Sequence, residues 1–117
     1  MSATDRELIP PQEATMYARI WHLQLRHGVM QEFKEALDAV IRLVRREEGY
    51  FGVIALSSGH PDAPEVRVVA LWDSQEAVHQ SEQDLFLMQA MTRYMACCEG
   101  VPKILEKEVL AADFAAD

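Results

Sequence analysis

Seven side chains in this chain have the type and setting for chemistry: Arg19, Trp21, His22, Trp72, Met88, Met91 and Tyr94. His22 lies mid-strand among apolar neighbours. A neutral imidazole there takes up a proton near neutral pH, which makes it the candidate catalytic base; a hydrogen-bonded histidine in a subunit interface is the competing reading. Leu87, Met88, Met91, Tyr94, Met95 and Cys98 share one helical face by spacing. Three methionines give a soft, adaptable wall suited to a flat organic ligand, and core packing is the alternative. Trp72 either stacks on an aromatic ligand or anchors the start of the following helix, and Trp21 is a core residue or part of the same wall. Arg19 shares a strand face with Tyr17 and Trp21. It either fixes an anionic substrate or pairs with Glu106 or Glu108 on the last strand. The Tyr94 hydroxyl, on the inner face of its helix, is placed to hydrogen-bond a substrate oxygen.

Other chemistries lack their residues. His22 and His27 do not form a metal-binding pair, and no carboxylate near them completes a site, so no metal is expected. Cys97 and Cys98 are adjacent and have no CxxC partner; they read as two reduced thiols. The sequence has no glycine-rich phosphate loop and no GxSxG or DxDxDG element, so neither a nucleotide nor a flavin is expected and no cofactor is assigned. His79 is expected at a cleft rim or in solvent, His27 and His60 in solvated turns, and Arg93 on an exposed helix face.

The elements that must position these groups follow from periodicity. Tyr17 to Leu25 alternates, with Tyr17, Arg19, Trp21, Leu23 and Leu25 on one face and Ala18, Ile20, His22 and Gln24 on the other. Neither face is wholly polar, so both are expected to be at least partly covered. Val29 to Glu48 switches to helical spacing, with a stripe of Met30, Phe33, Leu37, Val40, Ile41 and Val44 and with Gly49 as its cap. Val53–Ser57 and Glu65–Trp72 read as strands joined by a long turn from Ser58 to Pro64. Ser74 reads as the N-cap of a second helical region, broken near Ser81 and resuming from about Asp84 to Glu99. Gly100-Val101-Pro102 stops it, and Lys103 to Leu110 is the last strand.

The order β-α-β-β-α-β is the ferredoxin-like arrangement of the α+β class, a four-stranded antiparallel sheet with helices on one face. The other face still carries apolar residues, and pairing two sheets face to face would cover it. A homodimer through the sheet face is therefore expected. Residues 1–15 read as a flexible N-terminal arm, 16–114 as the folded domain and 115–117 as a C-terminal tail.

The chain has 117 residues, half of them apolar, and a formal charge of -8. One domain of ordinary soluble composition is implied. The acidity argues against a nucleic-acid partner, since Arg42, Arg45 and Arg46 are followed at once by Glu47 and Glu48. No apolar run approaches the ~20 residues that span a bilayer, so no membrane association is expected. The first residues carry acids and lead into Pro10-Pro11, unlike a signal peptide, and a cytoplasmic protein is the reading.

Two phrases carry a family resemblance: Glu47-Glu48-Gly49-Tyr50-Phe51-Gly52, passing from helix to strand, and Leu71-Trp72-Asp73-Ser74-Gln75-Glu76-Ala77, passing from strand to helix. With the element order, they resemble the antibiotic-biosynthesis monooxygenase domain of the dimeric α+β barrel superfamily, over roughly Met16 to Phe114. Trp72, Ser74, Glu76 and Ala77 match its strand-W-x-S-x-E-A-helix phrase. The resemblance implies a homodimer by a route independent of the apolar face. It also implies oxidation of phenols or quinols by O₂ without metal or flavin, the substrate anion passing an electron to oxygen in a dry pocket. Haem-degrading members look for an Asn on the first strand and a Trp and a His on the second helical region. This chain has no Asn, no Trp after Trp72 and no His in its last long helix.

Two functions are carried forward. One is a cofactor-independent monooxygenase acting on a small aromatic, quinol or polyketide-type substrate. The other is a non-catalytic dimeric barrel that binds a hydrophobic small molecule in a stress or regulatory role. An isomerase or dehydratase of the same architecture is a third option.

Overall fold

The computed structural model describes residues 16–114. The arm and tail expected at 1–15 and 115–117 lie outside the described residues. Seven elements follow in order: β1 (Met16–Gln24), α1 (Met30–Val44), β2 (Tyr50–Ser58), β3 (Glu65–Trp72), α2 (Gln75–Ser81), α3 (Leu85–Met95) and β4 (Lys103–Val109). The strands form one antiparallel sheet in the order β2-β3-β1-β4. This is the ferredoxin-like α+β arrangement, with its second helical region split in two.

The split has a local cause. Ser74 caps α2 by accepting the Ala77 N–H at 3.1 Å. Asp84 caps α3 by accepting the N–H groups of Phe86 and Leu87 at 2.9 and 3.2 Å. Two fresh N-caps ten residues apart cannot belong to one continuous helix. Ser81 does not cap the second helix; it ends the first, and its hydroxyl donates to the Val78 carbonyl at 2.6 Å.

Gly49 also differs from its expected role. α1 ends at Val44 with Arg45 in helical geometry, so Gly49 is not its cap. It takes φ +86° in the turn before β2, and its carbonyl accepts the Asp73 N–H at 2.8 Å. A Cβ there would lie 2.6 Å from Asp73 Oδ1 and 2.7 Å from Ala77 Cβ. The glycine thus lets the turn before β2 lie against the start of α2.

Register fixes what each face carries. Tyr17, Arg19, Trp21 and Leu23 face the helices with Trp72, Ala70, Val68 and Val66 as their cross-strand partners. The helix side buries two clusters. One gathers Trp21, Leu23, Leu25, Phe33, Ala36, Val66, Val68 and Tyr94. The other gathers Val44, Trp72, Ala77, Val78 and Leu87. The outer side presents an apolar row of Ile54, Val69, Ile20 and Leu105, with Leu56, Arg67, His22 and Lys103 in the row beside it. Ile54 and Leu56 are each 55% exposed, and Phe51 and Phe114 lie near the same face, also exposed.

Candidate functional site

The seam between the two buried clusters is a cleft. Its floor is Arg19 and Trp21 from β1, Val68, Ala70 and Trp72 from β3, and Tyr50 and Val53 from β2; Leu37, Val40, Ile41 and Val44 from α1 and Ser81, Leu87, Met88, Met91 and Tyr94 from the later helices close it. Its free volume is about 60 Å³. An engineered cavity that admits benzene measures ~150 Å³, so this is a closed state that must widen to take an aromatic ring.

Six of the seven singled-out side chains meet here: Arg19, Trp21, Trp72, Met88, Met91 and Tyr94. His22 does not line the cleft. Its side chain belongs to the opposite sheet face, between Arg67 and Lys103 in register. Strand alternation separates it from Trp21 by one position, and the helices cover the Trp21 face. Met95 also departs from the expected wall, being 37% exposed. Arg93 and His79 are exposed as expected.

Aromatic edges hold the walls in place. The Tyr94 ring meets Trp21 edge-on, with centroids 5.6 Å apart, and leans on Phe33 at 5.4 Å. Tyr50 meets Trp72 edge-on at 5.5 Å. Such pairs add directionality to apolar burial. Burial also pushes the Tyr94 hydroxyl well above the usual phenol range, with Cys98 adding to it. Tyr94 is therefore a hydrogen-bond donor at neutral pH.

Two polar atoms stand out. Trp72 Nε1 and Arg19 Nε are both buried and have no hydrogen-bond partner. An unmet buried donor costs about 1–3 kcal/mol, so such groups call for an explanation. The Arg19 guanidinium also meets two carboxylates. Its NH2 group donates to Glu82 Oε2 at 2.9 Å, and its Nε lies 3.9 Å from Glu106 Oε2. The Arg19 Cζ also stands 5.6 Å from the Trp21 ring centroid, within cation–π range. Glu106 was foreseeable as the residue opposite Arg19 on the neighbouring strand. Glu82, 63 residues away on the α2–α3 turn, carried no sequence signal.

Chemically, the cleft is an apolar slot with donors and no base. Arg19, Trp72 and neutral Tyr94 all donate, Ser81 is engaged with the backbone, and no Asp, Glu, His or Lys is among the lining residues. A slot with this lining has the chemistry to take a flat molecule by its faces and to orient it through an acceptor oxygen. Among the described residues no group of three His, Cys, Asp or Glu side chains converges as metal ligands would, and no helix is long and apolar enough to cross a membrane.

A ferredoxin-like α+β protein with an apolar cleft between sheet and helices is the class that this geometry defines. Residues 16–85 match the model of the antibiotic biosynthesis monooxygenase family, and the chain belongs to that family. No similar sequence was found among curated proteins. Solved structures share the fold at low identity. A conserved protein from Methanosarcina mazei superposes with TM-score 0.72 at 14% identity, covering 82% of this chain and 94% of its own. SnoaB from Streptomyces nogalater, a cofactor-independent oxygenase, superposes with TM-score 0.66 at 14% identity, covering 87% and 98%. A dimeric ferredoxin-like protein of unknown function from Jannaschia gives TM-score 0.67 at 14% identity, covering 80% and 99%.

Proposed function

We propose that the protein is a cofactor-independent monooxygenase acting on a small aromatic, quinol or polyketide-type substrate held in the sheet–helix cleft. One observation carries the reading: two buried, unpartnered N–H donors, on Arg19 and Trp72, lie in the wall of one apolar cleft. A substrate oxygen there would satisfy them. For a simple phenol the balance is phenol plus O₂ giving quinone plus water, with one oxygen atom entering the ring carbon and the other leaving as water. The electrons come from the ionised substrate. The cleft would contribute orientation and the exclusion of water. With no base in its lining, it would favour ionisation by stabilising the developing oxyanion through Arg19 and Trp72.

Oxygen uptake by the pure protein with a panel of hydroquinones and anthrone-type compounds tests the reading. Uptake that depends on the substrate and falls at least tenfold in Trp72→Phe supports it. No uptake across the panel, together with thermal stabilisation by an apolar ligand, would favour a non-catalytic barrel that binds a hydrophobic small molecule. The lack of any acid or base in the lining is what recommends that second reading.

The same proposal makes the working unit a homodimer joined through the outer sheet face. The apolar row of Ile54, Val69, Ile20 and Leu105, exposed at Ile54 and half-buried along the rest, supports it, as does the dimeric ferredoxin-like relative. A cytoplasmic setting goes with it, since Cys97 and Cys98 are both free thiols.

A further inference from the structure

We infer that Arg19 reads an oxyanion on the ligand and that Glu82 is the latch the oxyanion displaces. This rests on the reading that the sheet–helix cleft is the ligand site, and it adds what the ligand must carry and what must move.

Arg19 spans the boundary between the cleft and the surface. Its side chain is 15% exposed, whereas that of Glu82 is 40% exposed. The guanidinium therefore gives its NH2 group to a carboxylate at the rim, while its buried Nε makes no hydrogen bond and lies 3.9 Å from Glu106 Oε2. A planar fork of this kind matches a carboxylate or a phenolate better than it matches a neutral carbonyl. In the closed state Glu82 occupies the outer part of that fork, in the position a ligand oxyanion would claim.

The exchange leaves the charge balance unchanged. Glu82 and Glu106 already place two carboxylates around one guanidinium. Releasing Glu82 to solvent and seating a ligand anion replaces one negative charge with another, while Glu106 stays in place. His79 Nε2 and Gln75 Nε2 approach Glu106 Oε1 at 3.8 and 3.4 Å and help to hold it there. Glu82 is the exposed partner of the pair, so on release its carboxylate returns to water, while Arg19 keeps Glu106 beside it. Glu82 is also the C-terminal cap of α2, in the short turn before Asp84, so it sits where the helical layer is already interrupted. The cleft is too tight for a ring as it stands, and loosening this turn at its rim opens it on the side where Arg19 waits.

Binding of 4-nitrophenol, whose neutral and ionised forms differ in colour, tests the inference in the absence of oxygen and without turnover. The bound probe should ionise at a pH lower than the free probe by about one unit or more. Glu82→Gln, an exposed change that leaves the core untouched, should bind the ionised probe about three- to fivefold more tightly. Arg19→Gln should abolish the shift in ionisation, and Arg19→Lys, which keeps the cation, should retain part of it. A bound probe that ionises at or above its free value would overturn the inference. Unchanged or weaker binding in Glu82→Gln, or no binding to either protein, would overturn it too. Anion-selective binding without any oxygen uptake would sustain the latch while removing the oxygenase reading. Uptake without anion selectivity would do the reverse.

Discussion

Trp72 on β3 and Arg19 on β1 are diagonal cross-strand neighbours on the helix-covered face of the sheet: Tyr17 stands opposite Trp72, and Arg19 stands opposite Ala70. Diagonal pairs of this kind lie within reach of long side chains. Here they place two unmet N–H groups in the wall of one cleft. Replacing Trp72 by Phe removes one donor and keeps an aromatic ring against Tyr50. The variant should stay folded, within about 1.5 kcal/mol of the parent in urea unfolding. Substrate-dependent oxygen uptake should nevertheless fall at least tenfold. Parent-level uptake would show that the indole N–H has no part in the reaction.

His22 supplies the contrasting case. Its side chain points away from the cleft, so His22→Ala should change oxygen uptake by less than about twofold. A collapse of activity at unaltered oligomeric state would return His22 to the role of base.

The proposed self-association would use the opposite face. Ile54 is 55% exposed and heads the apolar row that continues through Val69, Ile20 and Leu105. Ile54→Asp places a charge in the proposed interface and should give a monomer in sedimentation at micromolar concentration, where the parent sediments as a dimer. A parent that is already monomeric would refute the proposed interface.

Gly49→Ala tests the junction between the turn before β2 and the start of α2. The added methyl meets Asp73 Oδ1 at 2.6 Å, and the residue must also hold φ +86°. Positive φ and the clash together should destabilise by about 2–4 kcal/mol, read as a lower urea midpoint with an unchanged slope. A loss under half a unit would mean that the turn simply moves away.

Acid titration separates Glu47 from Asp84. The backbone N–H of Leu87 is the first cause that draws the Asp84 carboxyl below its ordinary 3.8, with Glu47 and Phe86 N–H also contributing. Its native value is lowered, so its contribution is complete above 3.8 and is lost as pH falls through the depressed native value. Burial raises the Glu47 carboxyl above 4.5, with Asp84 adding to the rise, and its contribution has the opposite sign, being lost as pH climbs through that raised value. Asp84→Asn can still cap α3. It should show a shallower loss of thermal stability below pH 3.8 than the parent. An identical acid slope would assign the loss to other carboxylates.

Much of the architecture was legible because local signals agreed. Glu65–Trp72 alternates between a turn-rich loop and a capping serine, and β3 has those bounds. The break in the second helical region was legible from its polar interruption at Ser81 to Asp84. Gly49 misled because a glycine after a helical stripe usually caps it, whereas here α1 stops at Val44 and the intervening residues make turns. The site divided along a similar line. Alternation put His22 and Trp21 on opposite faces, but both faces carry apolar residues, so periodicity could not say which one the helices would cover. The Arg19–Glu82 contact joins residues 63 apart, and no local pattern encodes it.

The sheet order leaves β2 at a border, and its sequence, Tyr50-Phe51-Gly52-Val53-Ile54-Ala55-Leu56-Ser57-Ser58, contains no charged residue and no proline. Border strands elsewhere are guarded by lysine, proline or inward charge against joining a neighbour's backbone. Among the described residues, the irregularity between Tyr50 and Gly52 is what disturbs this one. If the proposed dimer is dissociated by mutation, the subunit would present a greasy face and this ribbon together, and fibrillar aggregation, visible as thioflavin fluorescence that rises with concentration, is the expected outcome.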